Sequence, residues 1–181
     1  MKIPFRSRGT SLIEVLVALV VISVGLLGVA KMQALAIAST RTSSVRSLIA
    51  IEAASIGSAM HANQGYWQAV ASGFSASVHV TSATAWPTIT SSDAAMAGST
   101  TNCLTSVCTA TQMAAYDIGT WAQALWTLTP TVASSVPTIN CSGNPITCVV
   151  QIQWTESTVG TNGAYAGTQT PIQTYDLVVQ P

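Results

Sequence analysis

The feature that most constrains this chain is at its start, where nine residues, Met-Lys-Ile-Pro-Phe-Arg-Ser-Arg-Gly, precede 21 almost wholly apolar ones, Thr10 to Ala30. At the standard rise, a helix over those 21 spans about 31 Å, close to the ~30 Å of a bilayer's hydrocarbon core. Such a segment can cross a membrane. A secretory cleavage site would follow the apolar run, and Gly28-Val29-Ala30 is a weak candidate for one. The stronger punctuation is Arg8-Gly9, ahead of the run.

One residue interrupts the apolar pattern. Glu14 lies five positions after Gly9, where an ionised carboxylate costs ~3 kcal/mol or more in hydrocarbon unless it is paired. Cleavage after Gly9 would create an amino group on Thr10, a cation suited to the carboxylate of a neighbouring copy. The plainer alternative is an interfacial Glu at the end of an ordinary membrane anchor.

Charge is scarce elsewhere. The chain of 181 residues has six basic and six acidic side chains, 7% of the total, against about 25% in an ordinary soluble domain. All six bases (Lys2, Arg6, Arg8, Lys31, Arg41, Arg46) lie in the first 46 positions. Nucleic-acid binding and phosphoryl transfer both need cations on phosphate, so nucleic acid is not an expected partner and neither chemistry suits the region beyond Arg46. Loss of residues 1–9 would remove three bases and leave a mildly acidic subunit with three bases against six acids.

The run Arg8-Gly9-Thr10-Ser11-Leu12-Ile13-Glu14-Val15-Leu16-Val17-Ala18-Leu19 resembles the class III signal shared by type IV pilins and type II secretion pseudopilins. The resemblance implies that a prepilin peptidase cuts between Gly9 and Thr10 and methylates Thr10, and that Glu14 pairs with an N-terminus in the fibre. Thr10 stands where the family usually has Phe. The continuation to Gln33, with its Ser23-Val-Gly-Leu-Leu-Gly28 pattern, is similar to the PilV-type minor pilins, or type IV pilus modification proteins. That family implies an α+β, type IV pilin-like fold: a long N-terminal helix, transmembrane in its first half, packed on a small head with a second helix and a C-terminal antiparallel sheet.

The chain then divides into a leader (1–9), a transmembrane or fibre-core half-helix (10–30), a periplasmic half-helix (31–62) and a head (63–181). No Pro falls between 10 and 86, which predicts one helix from about Ser11 to Ala62. Val45, Leu48, Ile49, Ile56 and Met60 share a face that should meet the head, and Glu52 projects onto the same face. Residues 65–101 read as largely irregular, with one strand-like stretch at Ala76–Val80. A second helix is predicted from Thr111, with Pro130 marking its stop and Met113, Trp121, Ala124 and Leu128 sharing a face. Strands over Cys148–Trp154 and Ile172–Val179 should pair antiparallel, with a further strand near Pro137–Cys141.

The four cysteines, Cys103, Cys108, Cys141 and Cys148, allow three disulfide connectivities. Short spacing favours Cys103 with Cys108 and Cys141 with Cys148. Zinc is disfavoured by the spacings and by the oxidising side of an inner membrane, so no metal, cofactor or catalytic residue is expected. His61 and His79 belong to no catalytic pattern and are expected on solvated faces. Trp121 and Trp154 read as core, whereas Trp67 and Trp86 remain as surface contacts of the kind a sugar-binding module would use.

The resemblance implies a non-enzymatic minor pilin, held in the inner membrane with its head in the periplasm until it joins a surface pilus. The resemblance implies as partners the prepilin peptidase, other minor pilins, the major pilin and a tip adhesin. A type II secretion pseudopilin shares the whole N-terminal mechanism. A membrane-tethered periplasmic enzyme or carbohydrate-binding module is the alternative from another class.

Overall fold

A computed structural model describes residues 11–82, 84–128, 136–156 and 172–181. The chain divides into two compact units, one ending at Arg41 and the other running Thr42–Pro181. Helix α1 covers Leu12–Ala62 without a break, as the absence of Pro predicts.

Up to Arg41 the helix is exposed at almost every position, and its apolar side chains from Leu12 to Val29 lie open. Beyond Thr42 the same helix acquires a buried stripe of Ile49, Ala53, Ile56, Gly57 and Met60. The spacings of four, three, one and three residues between these positions keep the stripe on one side of the helix. Val45 packs at its margin, and Leu48 falls off the stripe and is exposed. Glu52 is half-buried beside it.

The head is built on a five-stranded sheet, β1 (Phe74–His79), β2 (Thr88–Ser91), β3 (Thr138–Ser142), β4 (Thr147–Thr155) and β5 (Ile172–Val179). Its spatial order is β2-β1-β3-β4-β5, and every neighbouring pair is antiparallel. Along β4 burial alternates strictly, with Cys148, Val150, Ile152 and Trp154 turned inward. That period of two is what makes a half-buried strand legible. The fold is therefore α+β and pilin-like, with a long apolar N-terminal helix and a small head of helix and antiparallel sheet.

Helix α4 (Ala110–Leu128) supplies the rest of the core. Its start is a capping box. Gln112 N donates to Thr109 Oγ1 at 3.3 Å and Thr109 N donates to Gln112 Oε1 at 2.9 Å, so two otherwise orphaned amides are satisfied reciprocally. The buried face is Ala114, Ala115, Ile118, Gly119, Trp121, Ala122 and Leu125. Of the four residues expected to share a face, Trp121 is buried, Met113 is exposed, and Ala124 and Leu128 are half-buried. Close packing selected the side of the helix with small residues, and the larger Met and Leu lie beside it.

Residues 65–101 are more ordered than composition suggests. They contain β1, β2 and two single-turn helices, α2 (Gln64–Trp67) and α3 (Ala94–Ala97). Trp67 is a core residue at 1% exposure, which overturns its assignment as a surface contact. It meets Tyr66 and Phe74 edge to face, with ring centroids 5.2 Å and 5.7 Å away, the geometry that the quadrupoles of aromatic rings favour. His61 and His79 are both exposed.

Candidate functional site

The functional candidates fall in two places, the N-terminal segment and the polar features of the head. In the first, Ser11 opens α1 by accepting from Glu14 N at 3.0 Å and Val15 N at 3.3 Å. Glu14 therefore stands in the first helical turn, exposed, where the positive end of the helix dipole favours a carboxylate. Gly9 and Thr10, the expected cleavage and methylation positions, lie outside the described residues. Following Glu14, α1 is long and apolar enough to cross a membrane, and none of its most apolar window is buried within the protein. Side chains such as Leu12, Leu16, Val20, Val24 and Leu27, each more than half exposed, need lipid or protein around them rather than water.

In the head, all four cysteines are in disulfides, Cys103–Cys108 and Cys141–Cys148. The second bridge joins directly opposed residues of the β3–β4 hairpin and is buried, whereas the first closes a surface ring. No thiolate is left for a metal. Among the described residues, no cluster of His, Cys, Asp and Glu could hold one.

The strongest polar interaction of the head was invisible in the sequence. Arg46 on α1 grips Glu156 at the end of β4 with a bidentate pair, Nε to Oε1 at 2.7 Å and Nη2 to Oε2 at 2.8 Å. Trp154 Nε1 adds a third donor to Oε1 at 3.1 Å. The hydrogen bond from Arg46 is the main cause holding the Glu156 carboxyl below its ordinary range. Trp154 acts in the same direction, and partial burial opposes both. The two partners are 110 positions apart, and nothing local in the sequence marks them as a pair. Functionally the contact clamps the second half of α1 to the sheet.

A second tie joins the helices. Trp121 Nε1 donates to the Glu52 carbonyl at 2.9 Å, so Trp121 packs in the core and fastens α4 to α1 at once. Beside it a shallow groove carries the Glu52 and Asp117 side chains, and burial pushes the Asp117 carboxyl up from its ordinary value. Trp86 lies stacked on Tyr116, with centroids 5.7 Å apart and planes 23° apart. It is half-buried and committed to α4, which makes it a poor platform for a sugar. Tyr66 donates its hydroxyl to Asp93 Oδ2 at 2.7 Å, and burial together with this bond raises its pKa strongly.

These contacts brace the head among the described residues, and the segment with the most specific residue pattern is the N-terminal one. A family profile described as a prokaryotic N-terminal methylation motif matches residues 4–30. No curated protein and no solved structure matches the chain. Prepilin-type proteins of this kind are typically structural, and the motif implies processing by prepilin peptidase and assembly with other pilins. The motif and the apolar helix that continues it support anchoring in the inner membrane before assembly. The N-terminal segment thus supports a class III prepilin, a pilin or a pseudopilin.

Proposed function

We propose that the chain is a PilV-type minor pilin, a structural and non-enzymatic subunit that helps to prime, assemble or tip a type IV pilus. It is made as a prepilin, cut between Gly9 and Thr10 and methylated on Thr10. Glu14 then neutralises a neighbouring N-terminus and sets the register of the subunit, while Leu12 to Ala30 supply membrane residence and later fibre packing. The head offers partner-specific surface to other minor pilins, the major pilin and a tip adhesin, first in the periplasm and then on the cell surface.

The observation that carries this reading is a coincidence within one matched segment. Arg6 and Arg8 of the leader, Gly9, Glu14 five positions on and the uncovered apolar start of α1 all fall in residues 4–30. Each alone has commoner explanations, but an isolated carboxylate inside an apolar span is costly unless a cation meets it. A newly made amino terminus is such a cation.

Expression with and without a prepilin peptidase, followed by mass spectrometry of the N-terminus, tests the processing. The expected product begins at methylated Thr10; a mature chain beginning at Met1 or after Ala30 refutes the reading. Glu14→Val should be cut normally yet fail to enter fibres. Deletion of the gene separates the two machines: loss of pili with secretion intact supports a minor pilin, and loss of secretion with normal pili overturns it in favour of a pseudopilin.

A further inference from the structure

Between its apolar start and the head, α1 changes composition within a few residues. Residues 30–38 comprise eight strong helix formers (Ala, Lys, Met, Gln and Leu) and one Ile, whereas residues 39–44 read Ser-Thr-Arg-Thr-Ser-Ser. Ser and Thr are weak helix formers, because their hydroxyls bond to nearby backbone in other conformations. Each lowers the helical equilibrium about two- to threefold relative to Ala. Thr40 shows the competition directly: its Oγ1 donates to the Ala36 carbonyl at 2.9 Å, a back-bond of the kind that weakens and bends helices.

Nothing outside the backbone offsets this weakness. Ser39, Thr40, Arg41, Ser43 and Ser44 are exposed, and Thr42 is half-buried. The ties to the head begin further on, with Arg46 on Glu156 and the buried stripe from Ile49. Arg41 has no carboxylate to pair with on the helix surface, since the positions three and four residues away are Ile37, Ala38, Ser44 and Val45. The boundary between the two compact units falls inside the stretch, after Arg41. Gly25 and Gly28 are the competing weak points of α1. They lie in the apolar run, however, where a freed amide or carbonyl in lipid costs several kcal/mol. At residues 39–44 water meets those groups.

We propose that residues 39–44 form a hinge in α1, at which the helix opens and bends in preference to the segments on either side. The part of α1 held by Arg46 and the Ile49 stripe then turns independently of the strong helix formers before it. Opening there uncovers no buried side chain, so it proceeds while the head stays folded. The inference is independent of the minor-pilin reading, since the opening of this stretch is measured whatever happens at the N-terminus.

Hydrogen exchange of the full chain in detergent micelles tests the opening. Amides of residues 40–45 should be at least about 10-fold less protected than those of residues 33–37 and 49–53. Ser39→Ala/Thr40→Ala/Ser43→Ala/Ser44→Ala, changed only at exposed positions, should raise their protection roughly 50-fold. Electron–electron resonance distances test the bending, with nitroxides carried on p-acetylphenylalanine at the exposed positions 34 and 54, which leaves the native cysteines in their disulfides. A straight helix separates those positions by about 30 Å. The wild type should add a population at shorter distances, and the four-alanine variant should lose it. Uniform protection from residue 33 to residue 53, a single distance near that of the straight helix in the wild type, or a variant within about twofold of wild-type protection each overturns the proposal.

Discussion

Two glycines in the helices of the head should respond in opposite ways to the same substitution. Gly119 lies within α4, and a Cβ there would meet Trp86 Cζ2 at 2.6 Å, Cη2 at 3.0 Å and Cε2 at 3.1 Å. Carbon atoms at rest stand ~3.5–4.0 Å apart, so Gly119→Ala must push the indole away from Tyr116. Overpacking costs about 1–3 kcal/mol and loss of the ring stack ~0.5–1.5 kcal/mol, against a gain of ~1 kcal/mol in helix propensity. The net is a destabilisation of about 2 kcal/mol. For a unit spanning Thr42–Pro181 this lowers Tm by about 7 °C. At Gly57 a Cβ would lie 3.2 Å from Leu177 Cδ2 and 3.4 Å from Val179 Cγ2, the free ends of two side chains. These need yield only a few tenths of an ångström, so Gly57→Ala should be neutral or stabilising by up to about 1 kcal/mol. Thermal unfolding followed by circular dichroism, with disulfides intact, measures both. A Trp86→Leu background supplies the control, because without the indole Gly119→Ala should stabilise by ~1 kcal/mol. If Gly119→Ala stabilises with Trp86 present, the argument that this glycine exists to seat the indole is wrong.

The two perturbed carboxylates of the head give opposite pH dependences. The Glu156 pKa is lowered chiefly by its bond to Arg46, so its contribution is full above the unfolded-state value and is lost as pH falls through the folded one. Glu156→Gln should therefore cost stability near neutrality and flatten the acid limb of a urea-unfolding series below about pH 4. The Asp117 pKa is raised by burial, so stability falls as pH rises from its unfolded to its folded value. Asp117→Asn should be more stable than wild type at pH 7, with the difference vanishing toward pH 3. Under limiting reductant, alkylation and mass spectrometry should label Cys103 and Cys108 first, because Cys141 and Cys148 are 1% and 0% exposed. Replacing both Cys141 and Cys148 by Ser should cost about 2.5 kcal/mol on the chain-entropy estimate for so short a loop.

What the sequence makes legible is what depends on short-range pattern. The break-free run from Leu12 to Ala62 announces a helix, and the alternation through Cys148, Val150, Ile152 and Trp154 announces a half-buried strand. The N-terminal motif is equally local, since leader, Gly9 and Glu14 are adjacent. The capping box at Thr109 and Gln112 also lay in plain view as a Thr followed three residues later by Gln, and it would have moved the helix start to Ala110. By contrast β2 is Thr-Ile-Thr-Ser, four residues with one buried side chain. It exists because β1 offers it an edge, with Val78 opposite Ile89.

Other features of the head depend on partners far apart in the sequence. Trp67 and Trp86 read as surface contacts because the stretch around them is small and polar, yet each is held by partners that pattern cannot place beside it. For Trp67 these include the Phe74 ring; for Trp86 they are Tyr116 and the space left at Gly119, 33 residues on. The same holds for Arg46 and Glu156. A head with so few charges cannot rely on a dispersed field of surface ion pairs, each worth little. It places a bidentate pair where α1 meets the sheet, and an indole on a backbone carbonyl ties α4 to α1. These long-range ties fix the second half of α1 on the head. Loss of Glu156 should therefore loosen that joint while leaving the β3–β4 hairpin, with its own disulfide, intact. Hydrogen exchange of the Glu156→Gln variant should show faster opening around Arg46 and Ile49 and unchanged protection at Ile139 and Val150.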